Sequence, residues 1–417
     1  MRSLLFWLAL SRLALAERHS RSVKLPVLLS ALNKLGTSVS KFVVGQLALS
    51  SANPLRDLVI AQVAEWLPGA LATFVAGIAT DFRSSRLLYI APNIALMCIA
   101  LGMAMAAPEQ LSVLFAVYAT LGAFSAIPIT ALFRSRIQNP VRDGATRDIS
   151  DGMVQLCGPV LAGFLLFPLF GQKAIVFDSL SFLAIVAVLL IFFQSRDFRS
   201  PTRALNLQAL KGAVSELLRY SRETGAIWLV ITISMSWGLR DTLGLLWLKE
   251  SLSVPSGNFF AFAINDANKA VAVYLVAAAA GQIFGAWSIK EVTPRRSDPN
   301  WRSHAMVLAG IGSVILAVCC LMPCLGTMKT EHLLFLRFLD GLGSTIAWSS
   351  LTTVIVLGTP PEQNGMAQAV LKVISGILLS SVKLTLFLPV AKELPLCVAA
   401  LGMALVSIWL IKSNVHD

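Results

Sequence analysis

Apolar residues in this chain gather into long runs of about 20 residues, the length that crosses the hydrocarbon of a bilayer as an α-helix. Twelve runs are predicted as spans, at residues 25–49, 57–80, 87–107, 110–133, 152–171, 173–194, 226–249, 268–289, 304–323, 332–357, 365–389 and 394–412. The polar intervals between them are mostly short, so successive helices must return as tight antiparallel hairpins. The longest interval, Gln194 to Gly225, is basic, carries Pro201 early and then an amphipathic run (Leu205, Leu207, Leu210, Val214, Leu217, Leu218). It reads as a linker with a surface helix. The expected organisation is a segment at 1–24, a six-helix half at 25–194, a linker at 195–225, a second half at 226–412 and a tail at 413–417.

Composition sharpens this picture. The 417 residues are 56% hydrophobic and 13% charged, with a mean hydropathy of +0.74, whereas a soluble domain carries roughly a quarter of its residues charged. The net charge of +12 is dealt out into loops rather than gathered on one soluble module, which argues against a nucleic-acid partner. With both termini on the cytoplasmic side, the cytoplasmic segments hold the bulk of the Lys and Arg, as the positive-inside rule requires. Met1 to Ala16 mimics a signal peptide, but Arg12 interrupts its apolar run and the residues after it stay basic; an amphipathic helix on the cytoplasmic surface fits better. Six cysteines fall in or beside apolar spans and four His are scattered near span ends. No metal-ligand cluster, phosphate loop or Ser-His-Asp set is present, so no metal, no cofactor and no enzymatic activity is expected.

Shorter patterns carry more. The turn between the second and third spans, Gly77-Ile-Ala-Thr-Asp-Phe-Arg-Ser-Ser-Arg86, places Gly77 where two helices approach, Asp81 where it would accept from free amides of a helix N-terminus, and Arg83 and Arg86 at the phosphate level. Gly77 has a partner in Gly285 before Lys290, and Gly122 to Ala126 in the fourth span is matched by Gly341 to Thr345 in the tenth. Their similar offset of roughly 200 residues suggests that the halves are diverged copies. The Gly77–Arg86 turn resembles the loop between helices two and three of major facilitator transporters, where Gly, Asp and Arg latch the cytoplasmic side. Gly158-Pro159-Val-Leu-Ala-Gly163 resembles the antiporter motif of exporters in that superfamily. With Asp178-Ser-Leu-Ser-Phe182 and the turn Pro360 to Gly365, it resembles the branch of enterobactin exporters and macrolide-efflux proteins. Phe82, Ser84 and Ser85 depart from the latch pattern, and Ala162 from the antiporter motif. The resemblance implies an all-α membrane protein of the major facilitator fold: 12 transmembrane helices in two pseudo-symmetric six-helix halves, working as a monomer.

Ionisable residues inside spans are costly and mark function by default. Lys34 and Lys41 lie two turns apart on one face of the first span. Counting about 1.5 Å per residue, Lys41 matches Glu65 in depth, Arg240 matches Asp340, and Asp241 matches Arg337. Glu65, Asp340 and Asp241 are therefore proton-coupling candidates, with static ion pairs and snorkelling lysines as the alternatives. Asp178 is assigned a structural role. The resemblance implies a cavity lined chiefly by helices one, four, seven and ten. Lys34, Lys41, Arg240 and Arg337 would make it basic, with Trp237, Phe124, Trp348 and Trp247 as apolar contacts. The expected function is secondary active transport by alternating access in the inner membrane, most simply proton-coupled efflux of a small amphiphilic molecule, siderophore-like or drug-like, with an anion suited to the basic cavity. Two alternatives stay open: a lysophospholipid flippase or importer of the same fold, and a non-transporting assembly factor or sensor. The expected partners are the small-molecule substrate, protons and membrane lipid.

Overall fold

A computed structural model of the chain describes residues 24–82, 86–134, 140–192, 215, 226–251, 267–292, 301–325, 329–358, 364–387 and 393–415. The expected N-terminal amphipathic segment and all of the linker but residue 215 lie outside these. The described residues form twelve helices of 17 residues or more: α1 (Lys24–Leu49), α2 (Pro54–Phe82), α3 (Arg86–Met105), α4 (Pro108–Arg134), α5 (Pro140–Val160), α6 (Val176–Phe192), α7 (Ala226–Ser251), α8 (Ala267–Val292), α9 (Trp301–Leu321), α10 (Thr330–Gly358), α11 (Asn364–Thr385) and α12 (Glu393–Val415).

Local chemistry sets several boundaries. Pro54, Pro108 and Pro140 are the first residues of α2, α4 and α5, where the missing N–H has no partner to lose. The start of α5 corrects the expected span at 152–171: the helix begins at Pro140, so the polar residues before 152 continue it beyond the apolar run. Pro159 then removes a backbone donor inside α5, and the helix widens into a π-helical turn at Leu161–Leu166 before a short α segment, Phe167–Phe170. Gly171, at φ 55°, makes the reversal into a 3-10 turn and α6; only a residue without Cβ takes that conformation cheaply.

Packing repeats itself six helices apart. In the first half α1 packs on α2, α4, α5 and α6, α2 packs on α4, and α3 packs on α4 and α6; in the second, α7 packs on α8, α10, α11 and α12, α8 on α10, and α9 on α10 and α12. The halves meet through α2 against α11 and α5 against α8, pairs related by the same offset. The α8–α10 crossing is the tightest helix contact: a Cβ on Gly281 would meet the carbonyl of Phe338, and one on Gly341 the carbonyl of Ala278. Gly122, matched to Gly341 in the sequence, has open space where a Cβ would point, so the two positions are not packed alike. Outward-facing positions such as Leu180, Leu183, Leu401, Leu405 and Ile408 are large, apolar and exposed, a surface suited to lipid rather than water.

Candidate functional site

Between the halves lies a cavity of about 480 Å³, walled by α1, α2, α4 and α5 on one side and α7, α8, α10 and α11 on the other. Its apolar lining includes Phe42, Trp66, Phe115 and Trp237. Trp237 packs against Trp348, ring centroids 5.5 Å apart, and its indole donates to Ser344 Oγ at 2.5 Å. Phe124, Trp247 and Trp348, expected as apolar contacts, are not in the cavity wall, Trp348 standing behind Trp237; Trp66 and Phe115 take that place.

Charged side chains enter this space in pairs. Lys41 Nζ lies 2.6 Å from Glu65 Oε1 across α1 and α2, and the ammonium sits 6.0 Å over the ring of Trp66. Arg240 of α7 pairs with Asp340 of α10. Arg337 of α10 reaches Asp241 of α7 at 2.8 Å and Asp340, one turn along its own helix, at 2.5 Å, while lying over the ring of Tyr274. These are the depth-matched partners that the fixed helical rise predicts. Lys34, which had no partner on that arithmetic, pairs with Asp151 of α5. Asp151 was missed because the apolar run was taken to start one residue later. It shares a helix face with Gln155, Gly158 and Pro159, and that spacing was the available clue.

The antiporter-like residues sit at helix contacts around the same space. A Cβ on Gly158 would run into Ser38 of α1, and one on Gly163 would meet Ala272, Phe42 and the carbonyl of Asn268; Pro159 itself lines the cavity, as does Gln155, whose carbonyl lies one turn before the proline and loses its donor there. Of the expected latch, Gly77, Asp81 and Arg86 fall on α2 and α3 but their side chains lie outside the described residues, as does all of Arg83.

Asp178 stands apart from the ion pairs. It is fully buried in the first turn of α6 and accepts hydrogen bonds from Ser40 at 2.6 Å, Tyr118 at 2.5 Å and Ser181 at 3.3 Å. Tyr118 is also within 2.9 Å of Thr37, a cavity residue, so one chain of hydroxyls runs from the cavity to this carboxylate. At the end where α1 turns into α2, the halves are joined by Lys249 Nζ donating to the Leu49 carbonyl at 2.6 Å and, deeper, by Thr242 Oγ1 donating to Gln62 at 2.5 Å.

A sequence profile of the Major Facilitator Superfamily matches residues 28–381, most of the chain. The chain belongs to the Major Facilitator Superfamily. No curated protein sequence matches it, but solved structures of the superfamily's fold do. The nucleoside transporter NupG is 13% identical, with a TM-score of 0.62, covering 95% of this chain and 98% of that one. A POT family transporter in complex with a thioalcohol-conjugated peptide is 9% identical, with a TM-score of 0.71, covering 95% and 96%; a second POT structure, in complex with 5-aminolevulinic acid, has a TM-score of 0.70. At these identities the likeness is one of fold. The chain is thus a multi-pass membrane transporter of this superfamily, and its cavity lies where the two halves of a major facilitator meet. The enterobactin-exporter and macrolide-efflux resemblance goes no further than its short motifs.

Proposed function

We propose that the protein exports a small amphiphilic molecule through the inner membrane in exchange for protons, acting as a monomer with both termini cytoplasmic. The observation that carries this reading is that ion pairs from both halves face one interhalf cavity, with Glu65 and Asp241 in its wall. A carboxylate held by a neighbouring cation is ionised until a proton arrives from outside; protonation releases Lys41 or Arg337, and the freed cation changes what holds the halves together. Lys249 and Thr242 close the end of the cavity at the α1–α2 turn, so the described state opens, in this scheme, toward the cytoplasm. Trp66, Trp237 and Phe115 hold the apolar part of the substrate and the charged groups its polar part. If the exported molecule is an anion, both half-cycles run with the membrane potential, by about 2.3 kcal/mol per charge per 100 mV.

A second reading, uptake by co-transport, is favoured by one observation: the cavity carries more cations than carboxylates. A substrate anion and a proton entering together would balance each other's charge in that space, which is the arrangement for carrying both in one direction. Exchange and co-transport are separated by proton movement in proteoliposomes loaded with substrate. Under an imposed inward proton gradient, export by exchange gives loss of internal substrate, whereas co-transport gives accumulation. Glu65→Gln is expected to remove the gradient dependence in either case.

A further inference from the structure

Five cations and four carboxylates meet in and just behind the cavity wall among the described residues, and four of each are paired: Lys34 with Asp151, Lys41 with Glu65, Arg240 with Asp340 and Arg337 with Asp241. The fifth cation is Lys383 of α11. It lies in the cavity wall, is 0% exposed, and its Nζ has no hydrogen-bonding partner among the described residues. Asp241 and Glu65 act on it through space, as do Lys41 and Arg337, but none forms an ion pair with it.

A lysine in the last turn of a helix is ordinarily explained by the terminal carbonyls it can reach. Three of those carbonyls have other donors here: Val382 accepts from Thr385 Oγ1 at 2.6 Å, Lys383 from the amide of Leu386 at 3.2 Å and Leu384 from the amide of Phe387 at 3.1 Å. A buried ammonium without a hydrogen-bonding partner is unfavourable, and the through-space attraction of Asp241 and Glu65 is opposed by the neighbouring Lys41 and Arg337.

We propose that Lys383 is the seat of an anionic group on the transported molecule, a carboxylate or a phosphate monoester on an apolar, aromatic-sized body. The four-carbon stem lets the ammonium swing from the wall into the cavity when the anion arrives. The aromatic lining takes the body, and the ion pairs supply no further net charge, so the cavity selects one negative group. This rests on the cavity being the substrate site, but not on protons being the coupling ion or on the direction of transport.

The test is equilibrium binding of three probes of one shape, radiolabelled 2-naphthoate, 2-naphthamide and 2-naphthylmethylammonium, to the full-length protein in nanodiscs, with no gradient present. Wild type is expected to hold naphthoate about tenfold more tightly than the amide, the worth of one charge-assisted hydrogen bond. Lys383→Arg should keep that margin and Lys383→Met should erase it. Thermal unfolding gives a second readout: Lys383→Met is expected to raise the melting temperature, because it removes an unpaired buried charge, whereas a lysine with a structural partner would lower it. An anion preference that survives in Lys383→Met overturns the assignment while leaving the cavity as the substrate site. Failure of folded wild type to prefer naphthoate, or a lowered melting temperature in Lys383→Met, overturns it as well. Naphthoate binding as proposed with no proton dependence of transport would instead count against proton coupling alone.

Discussion

Arg337 is the side chain on which the second-half charge cluster depends. It bridges Asp241 and Asp340, whereas Arg240 reaches Asp340 but makes no ion pair with Asp241. Arg337→Ala therefore leaves Asp241, partly buried in the cavity wall, without its ion-pair partner, a loss of about 1–3 kcal/mol. Adding Asp241→Asn to Arg337→Ala should return much of it, and unfolding in detergent of the two single variants and the double variant measures the coupling. Arg337→Lys should fail to rescue, since an ammonium cannot span two carboxylates as a planar guanidinium does. Asp178 is expected to behave differently because hydroxyls, not cations, hold it. Asp178→Asn keeps an acceptor for Ser40 and Tyr118 and should cost about 1 kcal/mol, while Asp178→Ala strands two buried hydroxyls and should cost about 3 kcal/mol. Similar unfolding temperatures for these two variants would show that the hydroxyl network does not depend on the carboxyl group.

At the scale of helices, the α8–α10 crossing and the bend in α5 are the elements with the clearest consequences. Gly281 and Gly341 face backbone carbonyls across the crossing, so Gly341→Ala forces the helices apart and is expected to destabilise by about 2 kcal/mol. Gly122→Ala, at the sequence-matched position with open space, is expected to be neutral; thermal unfolding of the two variants side by side checks the contrast. Pro159, at the end of α5, lines the cavity, and the π turn after it sets Gly163 against Ala272 and Asn268 of α8. Pro159→Ala would restore the backbone donor and straighten the helix, moving Gly163 away from Ala272 and Asn268. Transport should fall while unfolding temperature holds or rises, a combination that separates a moving element from a structural one.

For the whole molecule, the number of spans, their division into halves and three of the four cavity ion pairs were legible in the sequence. Helical rise is fixed, so depth alone matched Lys41 with Glu65, Arg240 with Asp340 and Asp241 with Arg337. Lys34–Asp151 was not legible, because hydropathy marks where a helix enters lipid and not where it begins, and α5 starts well before its apolar run. Lys383 was legible as an ionisable residue inside the eleventh span, but a lysine there can also snorkel, and only the packing of α11 against α2 and α7 shows that it is sealed inside. Gly122 shows the opposite error, since a repeated motif does not guarantee a repeated contact.

The ion-paired carboxylates of this cavity are proposed to exchange protons for substrate. The most direct measurement is the pH change in a weakly buffered solution of the purified protein when a substrate is added, for wild type beside Glu65→Gln and Asp241→Asn. Exchange predicts release of protons on substrate addition, lost in at least one of the two variants. Proton uptake lost in the same variant would establish co-transport instead of exchange. No pH change from folded protein that demonstrably binds the substrate would rule out proton exchange at these carboxylates and leave the pairs as fixed struts between helices.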